Sequence, residues 1–262
     1  MMADTRYCKV KRDGRVFIVT LDRPDVMNAL HRPASLELEA VFDAFTQDPD
    51  LWVAIVTGSG DKAFCAGNDL KYQAAGSDTT LPASGFAGLT ARFGLNKPVI
   101  AAVNGLALGG GFELALSCDL TIAAEHAEFA LPEPRVGVAA TAGGLVRLPQ
   151  QVPLKQAMGM ILTGRRVTAQ QGQAFGFVNE VVPHGQALAG ALRWSAEILE
   201  GSPMSIRASK EMAAHAQDAE RCATLLRDQA SFPAMKALLQ SQDFQEGPLA
   251  FAEKRRPQWK GH

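Results

Sequence analysis

Short, almost uninterrupted apolar runs constrain the fold of this chain more than any other feature of its sequence. Residues 52–57, 99–103 and 120–124 are five or six residues long and carry no charge. Runs of this length without polar alternation are typical of strands buried on both faces, as in a parallel sheet covered by helices. A β-branched run at residues 16–21, closed by Asp-Arg-Pro, predicts one more strand. We therefore expect a largely buried sheet.

Helical patterns separate these strands and replace them towards the C-terminus. Between the strands, helices are predicted at residues 33–47, 110–117 and 153–162. Beyond about residue 185 no strand is predicted, and helices are expected at residues 187–199, 203–215, 222–239 and 244–255. Alternating strands and helices are typical of an α/β fold. The sequence predicts an α/β core in residues 1–200, a helical subdomain in residues 201–262, and a loop or interrupted helix at residues 71–88.

Composition and charge exclude several classes of protein. The 262 residues carry a formal net charge of -1, which gives no general attraction to nucleic acid or to an anionic membrane. The cysteines are widely spaced and indicate neither a zinc site nor a disulfide framework; they are Cys8, Cys65, Cys118 and Cys222. The N-terminal segment lacks the apolar stretch of a signal peptide, and no apolar run reaches the length of a membrane span. A cytoplasmic protein is therefore expected. The sequence also contains neither the HExxH motif of zinc proteases nor the GxSxG motif of serine hydrolases.

Three consecutive glycines, Gly109, Gly110 and Gly111, directly precede Phe-Glu-Leu-Ala-Leu. This order predicts a loop that turns into a helix N-terminus, where free N–H groups and the positive end of the helix dipole can receive an anionic oxygen. A tight turn required only for packing explains the glycines equally well. Similarly, an acid such as Glu113 is common in the first turn of a helix. Because no Lys-Ser or Lys-Thr follows the glycines, a Walker-type phosphate loop is excluded.

A second glycine-containing segment, taken together with the first one, narrows the interpretation of both. Residues 57–70 follow one predicted strand, and residues 104–113 follow the next one along the chain. Together these two segments resemble the paired signature of the enoyl-CoA hydratase/isomerase, or crotonase, superfamily. Further matches lie at residues 23–30, 129–133, 162–165, 176–182 and 251–255. The resemblance covers nearly the whole chain and implies the fold of that family, an α/β crotonase-like ββα spiral core with a C-terminal helical subdomain.

The resemblance also implies a reaction and the residues that carry it. Family members act on acyl-coenzyme A thioesters through an enolate whose oxygen is stabilised by two backbone N–H groups, here those of Asn68 and Gly110. One such donor is typically worth about 3 kcal/mol in the transition state. Hydratases of the family use two glutamates, which fall on Glu113 and Glu133, whereas isomerases typically keep only the second. The resemblance therefore implies an enoyl-CoA hydratase without a metal, and without a cofactor other than the coenzyme A of its substrate.

Further residues are implied in binding the acyl-coenzyme A. They are Val26, Met27, Ala66, Asp69, Leu70, Lys71, Pro132, Thr141 and Lys254. Lys71 and Lys254 are candidates for the coenzyme A phosphates, although a solvated surface lysine explains either one equally well. Members of the family usually form trimers, often stacked into hexamers, so a homo-oligomer is implied as well.

The sequence departs from the family pattern at several positions. Thr141 stands where a glycine is usual, Asn68 where alanine is common, and Asp25 where lysine is common, and Pro134 directly follows the second acid. From these departures we infer an altered acyl specificity with catalysis retained. Two alternatives stay open. One is another crotonase reaction, namely isomerisation, dehydration of a hydroxyacyl-CoA or carbon–carbon cleavage, and the other is an acyl-CoA-binding homologue without activity.

Overall fold

A computed structural model of the protein describes residues 5–215, 231–244, 246, 250, 253 and 255–262. Its largest element is a six-stranded sheet in the order β1-β2-β3-β5-β7-β10. The strands of this sheet are β1 (Cys8–Asp13), β2 (Val16–Leu21), β3 (Val53–Gly58), β5 (Val99–Val103), β7 (Leu120–Ala124) and β10 (Glu180–Val182). The β1 and β2 strands pair antiparallel, and the other neighbours pair in parallel.

Both faces of this sheet are covered, which explains the continuous apolar runs. Along β3, Ala54 and Val56 pack into one apolar core and Ile55 packs into another, because successive side chains of a strand point to opposite faces. Helix α1 (Arg32–Gln47) covers the first face and helix α7 (Ala187–Glu200) covers the second. The apolar pattern of β3 thus has a simple cause, since neither face meets water.

A second, four-stranded sheet has the order β4-β6-β8-β9. Its strands are β4 (Ala63–Cys65), β6 (Leu106–Leu108), β8 (Glu128–Ala130) and β9 (Val167–Thr168). The first three run in parallel, and β9 is antiparallel to β8. Because parallel strands end at the same edge, the segments that follow β4, β6 and β8 emerge side by side.

The other helices of the described residues surround the sheets. They are α2 (Leu70–Ala74), α3 (Gly110–Ser117), α4 (Gly144–Gln151), α5 (Leu154–Thr163), α6 (Ala169–Phe175), α8 (Pro203–His215) and α9 (Pro233–Gln240). Within the described residues, 3-10 turns occupy Pro24–Val26, Phe86–Gly88 and Glu133–Val136. Helix α8 is fastened to the core by Lys210, whose Nζ donates to the carbonyl oxygen of Lys97 at 2.8 Å and to Asp119 at 2.7 Å. None of the helices among the described residues is long and apolar enough to cross a membrane.

The α/β fold predicted from the sequence is confirmed. The strands at 16–21, 99–103 and 120–124 have the predicted bounds. The four strands of the second sheet were not predicted, because two or three residues are too few to show a period. The division at residue 200 stays a prediction.

One helix prediction needs correction. A continuous helix over 222–239 is wrong in its second half, because Phe232 is extended and a new helix begins at Pro233, a residue suited to a first helical turn. Residues 216–230 and most of 244–255 lie outside the described residues. The segment 71–88 is indeed interrupted, with helix α2 ending at Ala74 and a 3-10 turn at its far end. Cys8, Cys65 and Cys118 are buried and unpaired, and Cys222 lies outside the described residues.

Candidate active site

The ends of three neighbouring parallel strands bring the predicted site together. The chain leaves β4 into the turn that carries Asn68, leaves β6 into Gly109 and helix α3, and leaves β8 into the turn that carries Glu133. Ligands of open α/β sheets commonly bind at such carboxyl ends of strands. The sheet topology thus gathers three segments that are spread along the sequence from Asn68 to Glu133.

Glycine is required where these segments touch. A β-carbon on Gly111 would overlap the carbonyl oxygen of Cys65 at the end of β4. Gly109 has a positive φ of 53°, and a β-carbon there would stand 2.7 Å from Oε1 of Glu133. The packing interpretation of this glycine run is therefore confirmed, and the binding of an anionic ligand oxygen there stays a prediction. Gly111 permits close packing of α3 on β4, and Gly109 lets the Glu133 carboxylate reach the backbone.

The two amides expected to bind the thioester oxygen lie close to each other. The α-carbon of Gly67, whose peptide carries the Asn68 N–H, faces Gly110, and a β-carbon on Gly67 would lie 3.1 Å from the Gly110 nitrogen. The carbonyl oxygen of the Gly67–Asn68 peptide accepts a hydrogen bond from Leu30 N–H, and the next N–H of the turn, that of Asp69, donates to the Leu30 oxygen. Within the described part of the chain, the N–H groups of Asn68 and Gly110 donate to no backbone or side-chain acceptor. Gly110 is also the first residue of α3, at the positive end of the helix dipole.

Glu113 is a buried carboxylate in the first turn of α3. Its side chain is 3% exposed, and its Oε1 accepts a hydrogen bond of 2.8 Å from the N–H of Gly144, the first residue of α4. Burial raises the pKa of Glu113 to about 7, and the nearby Glu133 carboxylate acts in the same direction. Bonds from the N–H groups of Gly144 and Ala142 and the charge of Arg147 oppose that rise. Near neutral pH this group can therefore both accept and release a proton.

Glu133 begins the 3-10 turn that follows β8, and it is half-buried. Burial raises its pKa, while its own backbone N–H acts in the opposite direction. Among the described residues, its Oε2 is buried and has no hydrogen-bond partner. Two carboxyl groups that interact in one partly dehydrated place tend to share a single proton. The arrangement thus offers one acid and one base around the two free amides.

Some of the residues implied in acyl-coenzyme A binding are exposed near the Asn68 turn. Met27 and Leu70 are exposed large apolar side chains, and the carbonyl oxygen of Met27 accepts a hydrogen bond of 3.0 Å from Ala66 N–H. Lys71 is exposed as well. These neighbours form one surface beside the Asn68 turn.

The other implied binding residues differ more in their surroundings. The Asp69 carboxylate is engaged by Arg23 at 2.9 Å and by the N–H of Tyr72 at 3.2 Å, so it acts locally as a helix cap. Val26 and Pro132 are half-buried, Thr141 is exposed, and Lys254 lies outside the described residues. The binding roles of all these residues stay predictions.

Three residues at the site were not singled out from the sequence. The N–H of Gly144 binds Glu113, Phe86 packs against Gly110, where a β-carbon would lie 2.8 Å from the ring, and Arg147 stands near Glu113. Backbone donors and neighbours from distant loops leave no local pattern in a sequence from which they could have been found. Among the described residues, no cluster of three His, Cys, Asp or Glu side chains could hold a metal ion.

Comparison with known proteins places this site in a family. The family described as enoyl-CoA hydratase/isomerase matches residues 11–262. The chain belongs to the enoyl-CoA hydratase/isomerase family. The superfamily and the fold expected from the glycine turns are thereby confirmed.

Individual members of the enoyl-CoA hydratase/isomerase family match along almost the whole chain. The carnitinyl-CoA dehydratase of Salmonella arizonae is 45% identical over 258 residues, covering 97% of this chain and 98% of that protein. Among solved structures, the enoyl-CoA hydratase of Mycobacterium tuberculosis H37Rv has a TM-score of 0.91 at 37% identity, covering 98% of this chain and 99% of that one. The carnitinyl-CoA hydratase of Mycobacterium avium has a TM-score of 0.78 at 43% identity, covering 98% of this chain and 100% of that one. The enzyme is thus a crotonase-family protein of the hydratase and dehydratase type.

Proposed function

We propose that this enzyme adds water to, and removes it from, a coenzyme A thioester whose acyl group carries a cationic carnitine-like end. The observation that carries the hydration chemistry is the pair of interacting carboxyl groups, Glu113 and Glu133, beside the free amides of Asn68 and Gly110. The acyl group is suggested by the relatives named carnitinyl-CoA dehydratase, which are 43–45% identical.

The proposed reaction balances within the site. In the direction of hydration, Glu113 takes a proton from water while the water oxygen bonds to C3, and the double-bond electrons move onto the thioester oxygen. The amides of Asn68 and Gly110 stabilise that enolate oxygen. Glu133 then delivers its proton to C2 as the thioester carbonyl re-forms. Dehydration is the reverse, and the glutamate pair holds one proton at both ends of the reaction.

Hydrogen bonds favour this division of roles. Glu113 accepts N–H donors that stabilise a carboxylate, whereas Oε2 of Glu133 has no partner among the described residues and suits the protonated form. The reaction needs no cofactor, because coenzyme A enters as part of the substrate. The cytoplasmic location stays a prediction.

A matched set of thioesters tests the proposed substrate. We expect kcat/KM for 4-(trimethylammonio)but-2-enoyl-CoA to exceed that for crotonyl-CoA and for the neutral isostere 5,5-dimethylhex-2-enoyl-CoA by about tenfold or more, a size typical of pocket discrimination. Loss of thioester-conjugated absorbance and a mass gain of one water report the reaction. Crotonyl-CoA as the best substrate would indicate a general enoyl-CoA hydratase instead. Migration of the double bond would indicate an isomerase, and binding without turnover an inactive homologue.

We also propose that the chain forms a homo-oligomer through an apolar surface on α4 and α5. Val146 is 62% exposed, Leu154 61% and Leu162 67%. Helix α5 contacts both α4 and the Glu133–Val136 turn, in which Val136 is exposed as well. Large contiguous apolar surfaces of this kind usually mark protein contacts. Sedimentation analysis is expected to give a trimer or hexamer, and the double substitution Val146→Glu and Leu162→Glu is expected to give a folded monomer. The control Leu81→Glu, an exposed loop residue, should leave the oligomer intact; a monomeric wild-type protein would contradict the proposal.

A further inference from the structure

Arg147 links two segments that flank the site. It lies in the first turns of α4, and its Nη2 donates a hydrogen bond of 2.7 Å to the carbonyl oxygen of Thr90. Its guanidinium carbon lies 5.4 Å from the ring centre of Phe93. Its Nη1 packs so closely on Gly143 that a β-carbon there would overlap it. One side chain thus joins the segment after Phe86 to the turn that leads into α4.

The position of this arginine is electrostatically costly. The guanidinium folds back over Gly143, the residue that caps the N-terminus of α4, where the helix dipole disfavours a cation. Half-burial lowers the pKa of Arg147, and Cys118 and Glu113 act in the opposite direction. Thr90 and Phe93 supply a carbonyl and a ring, so neither neutralises the charge. A nearby group whose charged form the Arg147 guanidinium stabilises would offset this cost.

That group is the carboxylate of Glu113. The turn on which Arg147 packs carries the N–H groups of Ala142 and Gly144 that bind the Glu113 carboxylate. The charged groups that act on Glu113 are Glu133, which opposes its ionisation, and Arg147, which favours it. Arg147 itself is influenced by Glu113 and by Cys118 at the end of α3. The arginine therefore acts on Glu113 in two ways, by holding the turn and by its charge.

We propose that Arg147 is a positioning residue that locks the Ala142–Gly144 turn and keeps Glu113 in the ionised form that accepts a proton from water. This assignment rests on the proposed function for its kinetic consequence. Its structural consequence, the ionisation of Glu113, does not depend on turnover.

A purely structural brace is the competing explanation, and the chain offers a matched control for it. Arg92 braces the same segment from its other side, donating from Nε to the Gly88 oxygen at 3.0 Å and pairing with Asp43 at 2.6 Å. The charged groups that act on Glu113 are Glu133 and Arg147, and the Arg92 guanidinium is engaged by Asp43 instead. Loss of Arg92 therefore loosens the segment without removing the charge near the carboxylate.

The test compares Arg147→Met, Arg147→Gln, Arg147→Lys and Arg92→Met in the full-length protein. The ionisation of Glu113 is followed by carbon-13 NMR of protein labelled at the glutamate carboxyl carbon, with the signal assigned from Glu113→Gln. The neutral variants Arg147→Met and Arg147→Gln are expected to titrate Glu113 at a higher pH than wild type, because a cation that favours the carboxylate is lost. Arg147→Lys should stay near wild type, since it keeps the charge, and Arg92→Met should not differ.

Kinetics with the best thioester of the substrate panel provides the second readout. The acid limb of the kcat profile should move to higher pH in the neutral variants, and kcat at neutral pH should fall about 10- to 100-fold, with KM changed less than about threefold. Equal behaviour of Arg147→Lys and Arg147→Met, an unmoved titration, or the same loss in Arg92→Met would overturn the proposal. If no thioester is turned over, the proposed function fails while the NMR titration still decides the role of Arg147. Should Arg147→Met not fold, the glutamine and lysine variants carry the comparison.

Discussion

Glu113→Gln is expected to lower kcat by about 10²- to 10⁴-fold, the usual contribution of a general acid or base. The amide keeps an oxygen that can accept the Gly144 N–H bond, so the site should keep its shape while losing the carboxylate that we propose takes a proton from water. Affinity for a saturated, unreactive acyl-coenzyme A is expected to change little, because the substitution leaves the amides of Asn68 and Gly110 and the residues proposed to bind coenzyme A unchanged. Steady-state kinetics and calorimetric titration with that ligand measure the two effects separately.

The same kinetic measurement is to be made on Glu133→Gln. It is expected to cause a loss of similar size, because hydration needs a proton at C2 as well as an activated water. Retained turnover in Glu113→Gln together with loss in Glu133→Gln would point to an isomerase-like reaction with one acid. Retained turnover in both variants would remove the carboxylate pair from the mechanism.

The free energy of unfolding shows whether Glu113→Gln is folded under the conditions of the kinetic assay. The pKa of Glu113 is raised from 4.5 to about 7 in the folded protein. The stability that this group contributes is thus fully present below pH 4.5 and is lost as the pH rises through about 7, because the unfolded chain ionises it more easily. Glutamine does not titrate, so Glu113→Gln should gain stability relative to wild type above pH 7, on the order of 2 kcal/mol. Urea unfolding at pH 5 and pH 8 checks the sign, and an unstable variant at pH 8 would make its lost activity uninformative.

Gly111→Ala is expected to lower the unfolding temperature by roughly 5–10 °C, or to prevent folding. Its β-carbon would overlap the carbonyl oxygen of Cys65, a backbone atom that cannot rotate aside, so α3 or β4 has to move. Because α3 carries Gly110 and Glu113, any folded fraction should also lose activity. Thermal unfolding followed by circular dichroism measures the first effect.

Gly159→Ala is the matched control for that substitution. Gly159 also lies inside a helix, α5, but nothing in the described chain lies within 4 Å of a β-carbon there. Alanine in a helix is favoured over glycine by about 0.5–1 kcal/mol, so this variant should be as stable as wild type or slightly more stable. Equal destabilisation by both substitutions would show that helical glycines in general, and not the contact with Cys65, are responsible.

Local sequence patterns predicted the elements that repeat a pattern for long enough. The strands at 99–103 and 120–124 and helix α1 were predicted closely, because burial on two faces or on one helical face leaves a periodic apolar signal. Pro33 lies in the first turn of α1 and Asp48 and Pro49 follow its last residue, and residues of these types are common at helix ends. The second sheet was missed, although it gathers the site, because its strands of two or three residues carry no period.

The residues of the site became visible only through family resemblance. Glu113 and Glu133 are 20 positions apart and lie in unlike segments, and each by itself looks like an ordinary surface acid. Even the resemblance did not show Arg147 or the N–H of Gly144. Those act through the backbone and through space, and neither effect leaves a mark on neighbouring residues in the chain.

The sequence by itself determined the α/β class, the turn-forming glycines and the family of this protein, because apolar periodicity and backbone requirements are local properties of a chain. The tertiary structure alone decided which groups share one site. Parallel pairing of β4, β6 and β8 puts their ends together, burial then raises the pKa values of both glutamates, and the turn before α4 supplies the donors for one of them. Proximity and dehydration arise only when distant segments pack against each other, so no stretch of sequence contains them.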